Sequence, residues 1–238
     1  MSTLDELKQR TSVRIFEDRA IDAQARDEIL ACAFAAPTAG NQMLYTILQI
    51  DDQSIKDRLA VLCDNQPFIA HAPLVLVFLA DCRRWYDAYT AAGCQPRDPG
   101  VGDLILACED TMVAAQNAVT AAQHLGIGSC YIGDIVENHD DVVALLNLDK
   151  WVFPVALVVF GYPTEQQKRR AKPIRFAAEH IVLHDTYRRL SEEELRAMYT
   201  ERGEDFDTFV PATCARKYMS DFSAEMSRSV AEYLKAYS

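Results

Sequence analysis

No stretch of the 238-residue sequence is apolar for long enough to cross a bilayer. The longest apolar runs, APLVLVFLA (72–80) and VFPVALVVFGY (152–162), fall short of the roughly 20 residues a transmembrane helix needs. They read as buried strands. The N-terminal MSTLDELKQR is charged and has no apolar centre, so no signal peptide is expected. Basic residues are in deficit: 24 Lys and Arg against 35 Asp and Glu leave a formal net charge of −11. That balance argues against non-specific binding to nucleic acid or to an anionic membrane. The seven cysteines are odd in number and include no CxxC pair, which points to reduced thiols in the cytoplasm and to no metal site. There is no GxSxG, no GxGxxG opening a helix, no internal repeat and no Ser/Gly linker.

What remains is an ordinary globular composition, half hydrophobic, sufficient for one core of domain size. Helices are expected over 3–10, over 22–36 with Asp22 as N-cap and Pro37 as its stop, and over 54–63. A long, nearly all-round apolar helix is expected over 103–126, closed by Gly126, and further helices over 138–148, with Asn138 as cap, and from 191 on. TILQI (46–50) reads as a strand. CRRWYDAYTAAGCQPRDPGVG (82–102) reads as a long loop whose Trp85 and Tyr86 either line a pocket or cover the core. EHIVLH (179–184) reads as extended, which would put His180 and His184 about 13 Å apart at roughly 3.3 Å per residue and disfavours them as a metal pair. Helices interleaved with a few strands point to an α+β or α/β fold. The chain divides by composition into a core, 1–185, and a polar helical extension, 186–238, too poor in apolar residues for a core of its own.

Four short stretches carry polar chemistry. RTSVR (10–14) groups Arg10, Thr11, Ser12 and Arg14; the arginines are one turn apart if helical and on one face if extended, and their planar forks suit phosphate oxygens. AAPTAGNQ (35–42) follows a proline with small residues and two amides, which allows close backbone approach to a flat ligand. LGIGSCYIGD (125–134) is a glycine-bearing turn that can present backbone N–H groups to an electron-rich ring. KRRAKPIR (168–175) packs five basic residues into eight. Taken singly, each is equally compatible with a solvated loop or an ordinary turn.

In this order and spacing the four stretches resemble the FMN-dependent nitroreductase family, in particular its NADPH-dependent, oxygen-insensitive nitroreductases and NADPH–flavin oxidoreductases. RTSVRIF resembles an R-x-S-x-R-x-F phosphate motif, APTAGNQ an A-P-S-x-x-N-x-Q loop, and FGYP with KPIR a strand end and basic clamp. DTMVAAQNAVTAAQHLGIGSCYIGDI is the most specific match, to the central helix and the turn beneath the flavin. The resemblance implies an α+β sandwich with a central mixed sheet covered by helices, and a C-terminal segment exchanged across a homodimer. It implies FMN as cofactor, its phosphate held by Arg10, Thr11, Ser12, Arg14, Lys172 and Arg175. Thr38, Ala39 and Asn41 would contact the ring or ribityl chain, Gln66 the ring, and Tyr131, Ile132 and Gly133 would support the reactive nitrogen. Arg202, in ERG, matches a position that receives the NADPH phosphate.

The activity implied is NAD(P)H-dependent reduction of nitroaromatics, quinones or flavins by ping-pong two-electron hydride transfer, with flavin N5 rather than a side chain as the reactive centre. Two other readings share these residues: a flavin reductase supplying reduced FMN to a partner, and a flavin binder without reductase chemistry. Three departures stand out: KPIR in place of K-P-R, Asp134 where relatives carry glycine, and the acidic Glu204 and Asp205 after Arg202, which disfavour NADPH over NADH.

Overall fold

A computed structural model describes residues 2–238. The chain forms two compact units: residues up to Arg170 together with Glu225–Ser238, and Ala171–Ala224. The first is built on four strands, β1 (Tyr45–Gln49), β2 (Leu74–Asp81), β3 (Gly128–Ile132) and β4 (Val152–Gly161), in the order β1-β2-β4-β3. All three neighbouring pairs are antiparallel. β2 and β4 are the two apolar runs of the sequence. They occupy the sheet centre, so side chains on both their faces are covered, which is why the runs do not alternate with polar residues. Leu76, Phe78, Val158 and Phe160 point into one layer, and Val75, Val77, Leu157 and Val159 into the other. Pro154 is tolerated in β4 because the register shifts beside it: Phe78 pairs with Ala156 but Leu79 with Pro154, a bulge of the kind that houses proline in a sheet. Among the described residues the sheet's parallel character is confined to one bridge, Ser12 with Ser129 at the free edge of β3.

Helices cover both faces. α1 (Thr3–Gln9) leads to α2 (Ala23–Phe34), which starts where the Asp22 carboxylate accepts the Ala25 N–H at 2.8 Å. α3 (Gln53–Leu62) is capped by Asp52 in the same way and is followed by the single turn α4 (Phe68–His71). Residues 82–102 are not the loop read from the sequence: α5 (Arg83–Ala91) occupies the first half. Its apolar and aromatic residues cluster on one side of an otherwise polar helix, a pattern that composition alone reads as loop. α6 (Val101–His124) is the long central helix. It buries Ala114, Ala115, Ala118 and Ala122 against β2, β4 and α2, and its alanines allow that close approach. Gly126, at φ +72°, supplies the left-handed residue that ends it. α7 (His139–Leu146) follows Asn138, but Asn138 does not cap it: that residue is itself left-handed, and its amide donates to the Leu62 carbonyl at 2.8 Å. α8 (Glu165–Lys168) closes the segment after β4.

The second unit carries α9 (Ala178–Ile181), α10 (Glu192–Glu201) and α11 (Phe206–Thr213). The first half of EHIVLH, Glu179–Ile181, is therefore helical rather than extended, while Val182 is extended; His180 pairs with Glu201 at 2.8 Å. α12 (Asp221–Leu234) spans the boundary. Its residues from Glu225 on belong to the first unit, where Tyr233 and Tyr237 enter the core.

Candidate active site

RTSVR is extended. The Val13 N–H donates to the Ser129 carbonyl at 2.9 Å, which lays the segment along the edge of β3. Gly128 makes this possible: a Cβ there would stand 2.5 Å from Val13 Cγ2. With Val13 buried and pointing inward, Arg10, Ser12 and Arg14 alternate away from it. The Arg14 N–H donates to Gln167 Oε1 at 3.2 Å, and its guanidinium lies 5.9 Å from the centre of the Phe68 ring.

Arg10 shows the most telling feature. Its Nη1 is buried and has no hydrogen-bond partner in the protein. A buried guanidinium nitrogen left in this state calls for an external acceptor. Cys130, on β3, senses the same charges. Burial pushes its thiol pKa up, while Arg14, the Ser12 hydroxyl, Arg10 and Arg170 pull it down. Three guanidiniums thus converge beside one thiol in a chain of net charge −11. The third, Arg170, belongs to the stretch Lys168–Arg170 of the basic run, from which the sequence allows a replacement for the usual clamp arginine. Lys172 and Arg175 are exposed residues of the second unit.

The end of β3 supplies the next group. Ile132 is buried, Gly133 is exposed, and Tyr131 lies between them in burial. The Tyr131 hydroxyl donates to Gln116 Oε1 on α6 at 3.5 Å, and burial raises its pKa. Asp134 follows at the start of a 3-10 turn. It accepts from Gln66 Nε2 at 2.7 Å, and the same amide nitrogen donates to the Cys63 carbonyl at 2.8 Å. Both amide hydrogens are committed, so Gln66 can offer only its oxygen, an acceptor, to a ligand.

The loop Thr38–Gln42 is held from below by a residue the sequence reading passed over. Asp110, on α6, is 5 % exposed. Its carboxylate accepts from the Thr38 hydroxyl, from the Ala39 N–H at 2.9 Å and from the Leu44 N–H at 3.2 Å. Thr38 Oγ1 in turn accepts the Met43 N–H at 2.7 Å. These bonds hold a backbone in which Gly40, Asn41 and Met43 all have positive φ, a conformation non-glycine residues adopt only when their surroundings impose it. The Glu109–Asp110 pair in an otherwise largely apolar helix was the signal for Asp110. Beside this loop, a cavity of about 410 Å3 is walled by Trp85, Tyr86 and Tyr89. Trp85 Nε1 donates to the Gln42 carbonyl at 2.8 Å and Gln42 Nε2 to the Tyr89 hydroxyl at 3.3 Å.

Arg202 lies in the second unit and is already engaged. Its guanidinium is ion-paired with Glu204 and stacks 4.0 Å from the Phe176 ring centre, with Tyr199 and Phe209 on its other sides.

Residues 7–162 match the family model described as the Nitroreductase family. The chain belongs to the nitroreductase family. It is 32 % identical over 201 residues to an oxygen-insensitive NADPH nitroreductase of Salmonella typhimurium, covering 84 % of this chain and 80 % of that one. It is 27 % identical over 229 residues to an FMN reductase [NAD(P)H] of Bacillus subtilis, covering 95 % and 88 %. The solved structure of Bacillus megaterium NfrA1 superposes with a TM-score of 0.79 at 26 % identity, over 95 % of this chain and 98 % of that one. The NADPH:FMN oxidoreductase of Vibrio harveyi, at 21 % identity, superposes with a TM-score of 0.82 over 98 % and 97 % of the two chains and shares the fold. The nitroreductase fold expected from the sequence is therefore the observed one. No helix among the described residues is long and apolar enough to cross a membrane.

Proposed function

We propose that this nitroreductase-family chain is an FMN-dependent oxidoreductase that takes electrons from NADPH or NADH and reduces small nitroaromatic, quinone or flavin oxidants. The observation that carries the reading is the buried, unpartnered Arg10 Nη1 on a strand that also presents Ser12 and Arg14. That donor set, with Arg170 beside it, fits a dianionic phosphate: planar forks, a hydroxyl and a local excess of positive charge in an acidic protein. Bound there, FMN would supply the two-electron chemistry, which belongs to the cofactor rather than to a side chain.

The residues of this chain bind, orient and polarise. Arg10, Thr11, Ser12 and Arg14 would hold the phosphate. Gln66 would accept a hydrogen bond from the ring through its oxygen. Tyr131, Ile132 and Gly133 would form the floor beneath it, and Thr38, Ala39 and Asn41 would contact the ring or ribityl chain. Exposed apolar side chains on α2 and α6, Phe34, Ile105, Leu106 and Met112 among them, support a homodimer in which a second copy covers them. Cytoplasmic placement accords with seven free cysteines.

The test is a visible spectrum of the purified protein with and without added FMN, then with NADPH and with NADH in the absence of oxygen. A flavin spectrum that either donor bleaches supports the reading. A protein that takes up no FMN overturns it, and so does a bound flavin that neither donor bleaches. In the bleaching case, Arg10→Gln is expected to weaken FMN binding at least tenfold, the equivalent of about 1.4 kcal/mol, by removing a charge-assisted donor.

A further inference from the structure

Glu137 is a buried acid with no role in the site as described. It is 3 % exposed, and its Oε1 has no hydrogen-bond partner in the protein. It follows Asp134 by one 3-10 turn, its N–H donating to the Asp134 carbonyl at 3.0 Å. The two carboxyl groups also come within hydrogen-bonding reach of each other. Two carboxyl groups can share a hydrogen bond only if one carries a proton. Asp134 in turn accepts from Gln66 Nε2 at 2.7 Å. A continuous chain therefore runs from Glu137 through Asp134 to the Gln66 amide.

The charges that act most on Glu137 are other carboxylates. Asp134 comes from its own turn, Asp64 from the connection between α3 and α4, and Glu225 from α12. Arg228, the nearest cation on α12, is ion-paired with Glu225 at 2.8 Å, and Glu225 also accepts from Ser229. In the first turn of α7, His139 is bonded to Asp140 at 2.7 Å. The Cys63 thiol, also close, is held protonated by burial and by Asp134 and Glu137. Burial first, then Asp134 and Asp64, hold the Glu137 carboxyl well above its ordinary range, at about 7.

We propose that Asp134 and Glu137 are a proton-sharing carboxyl pair that acts through Gln66 on the ring end of the flavin site, so that loss of the shared proton weakens binding of reduced flavin. Both are positioning residues: neither is argued to touch the cofactor. The proposal rests on the flavin reading given above. The chemistry balances simply. At acid pH the pair holds one proton and one negative charge; as pH rises the O–H bond breaks, the proton passes to water and the pair carries two negative charges. A reduced flavin, anionic at neutral pH, meets that extra charge, whereas oxidised FMN has a neutral ring and is less affected. At an effective dielectric constant near 20, one added charge about a nanometre away is worth about tenfold in affinity. The same pair explains how an acid is accommodated at a position where the sequence pattern leads one to expect glycine: its partner keeps half the charge neutralised.

Two measurements test it together. The first is a carbon-13 NMR titration of the side-chain carboxyls in the FMN-free protein, wild type against E137Q. One carboxyl titrating near neutrality in wild type and missing in E137Q is the expected result; its absence from wild type overturns the pair. The second is the anaerobic dissociation constant for reduced FMN at pH 6 and pH 8 in wild type, E137Q and D134N. The wild-type constant, relative to E137Q, is expected to rise about tenfold between the two pH values, with a smaller rise in D134N, whose Glu137 keeps its burial but loses the neighbouring charge. Tight FMN binding with no difference in pH dependence overturns this proposal and leaves the flavin reading intact. Failure of wild type to bind FMN in either redox state overturns the flavin reading and the link to Gln66 with it, while the NMR titration still decides whether the pair exists.

Discussion

Removing the Asp110 carboxylate should loosen the Thr38–Leu44 loop and destabilise the whole fold. Asp110 is buried, and three donors converge on it: the Thr38 hydroxyl and the Ala39 and Leu44 N–H groups. Two of the three are backbone groups with no other way to be satisfied once the loop keeps its shape. Asp110→Ala leaves them orphaned, at roughly 1–3 kcal/mol each, and releases the positive-φ backbone at Gly40, Asn41 and Met43. The combined loss is about 3–5 kcal/mol, the range seen when one partner of a buried charged network is deleted. That is a large share of the roughly 5–15 kcal/mol that holds a typical domain folded. Asp110→Asn keeps the shape and one acceptor oxygen, but turns its other end into a donor facing donors, so it should fall between, at about 2 kcal/mol. Urea unfolding measures both. FMN titration of the folded variants should show weaker binding in the same order, because the loop carries Thr38, Ala39 and Asn41. A D110A protein within 1 kcal/mol of wild type and with unchanged FMN affinity would show that the loop is held by something other than Asp110. A double-mutant cycle with Thr38→Val separates the side-chain bond from the two backbone bonds.

Gly128→Ala places a Cβ 2.5 Å from Val13 Cγ2, so it should cost about 1–3 kcal/mol by overpacking and lift the strand bearing Arg10 and Ser12; Val13→Ala in the same chain should restore part of both stability and FMN affinity. Glu137 gives a stability prediction with a definite sign. Its carboxyl is raised in the folded protein from 4.5 to about 7, so its contribution is fully present below pH 4.5 and is lost as pH rises through about 7. Wild type should lose up to about 3 kcal/mol relative to E137Q over that window, and urea melts at pH 4.5, 6 and 8 that run parallel for the two proteins would contradict it. Glu204→Gln frees the Arg202 guanidinium from its ion pair; if Arg202 receives the phosphate of NADPH, kcat/KM for NADPH over NADH should rise about tenfold, the value of one charge-assisted hydrogen bond of about 1.4 kcal/mol.

The elements most legible in the sequence were those whose burial leaves a periodic or continuous apolar signal. β2 and β4 were readable because both faces are covered, and α6 because its alanines and Gly126 mark a buried helix and its end. α5 was missed because its one-sided cluster of Trp85, Tyr86 and Tyr89 is short and lies beside a stretch rich in Gly, Pro and Cys. EHIVLH was misread because β-branched propensity is weak over so short a segment and the His180–Glu201 pairing, between residues 21 apart, overrides it. For the site, Arg10, Ser12 and Arg14 were legible as a pattern, but the property that makes them a site, a buried unpaired Nη1, exists only once Val13 has packed against Gly128. Asp110 and Glu137 could not be assigned a role for the same reason: their importance lies in partners 66 or more residues away for Asp110 and in burial for Glu137.

These charges are arranged with opposite sign at the two ends of one short strand. Ser129, paired with the Arg10–Arg14 segment, is the second residue of β3, and Asp134 lies just past its end. At about 3.3 Å per residue, the three strand steps from Ser129 to Ile132 alone span roughly 10 Å. A positive end made of Arg10, Arg14 and Arg170 and a negative end made of Asp134 and Glu137 would favour one orientation of the proposed cofactor, phosphate toward the arginines and neutral ring toward the acids. On that proposal the site would hold an oxidised, neutral ring more firmly than an anionic, reduced one. Asp134→Gly tests that argument, because it removes the acid nearest Gln66 and leaves Glu137 without its proton partner. The variant should bind oxidised and reduced FMN with more nearly equal affinity at pH 8, and a ratio of the two constants unchanged from wild type would mean that the acidic end of the strand does not reach the ring.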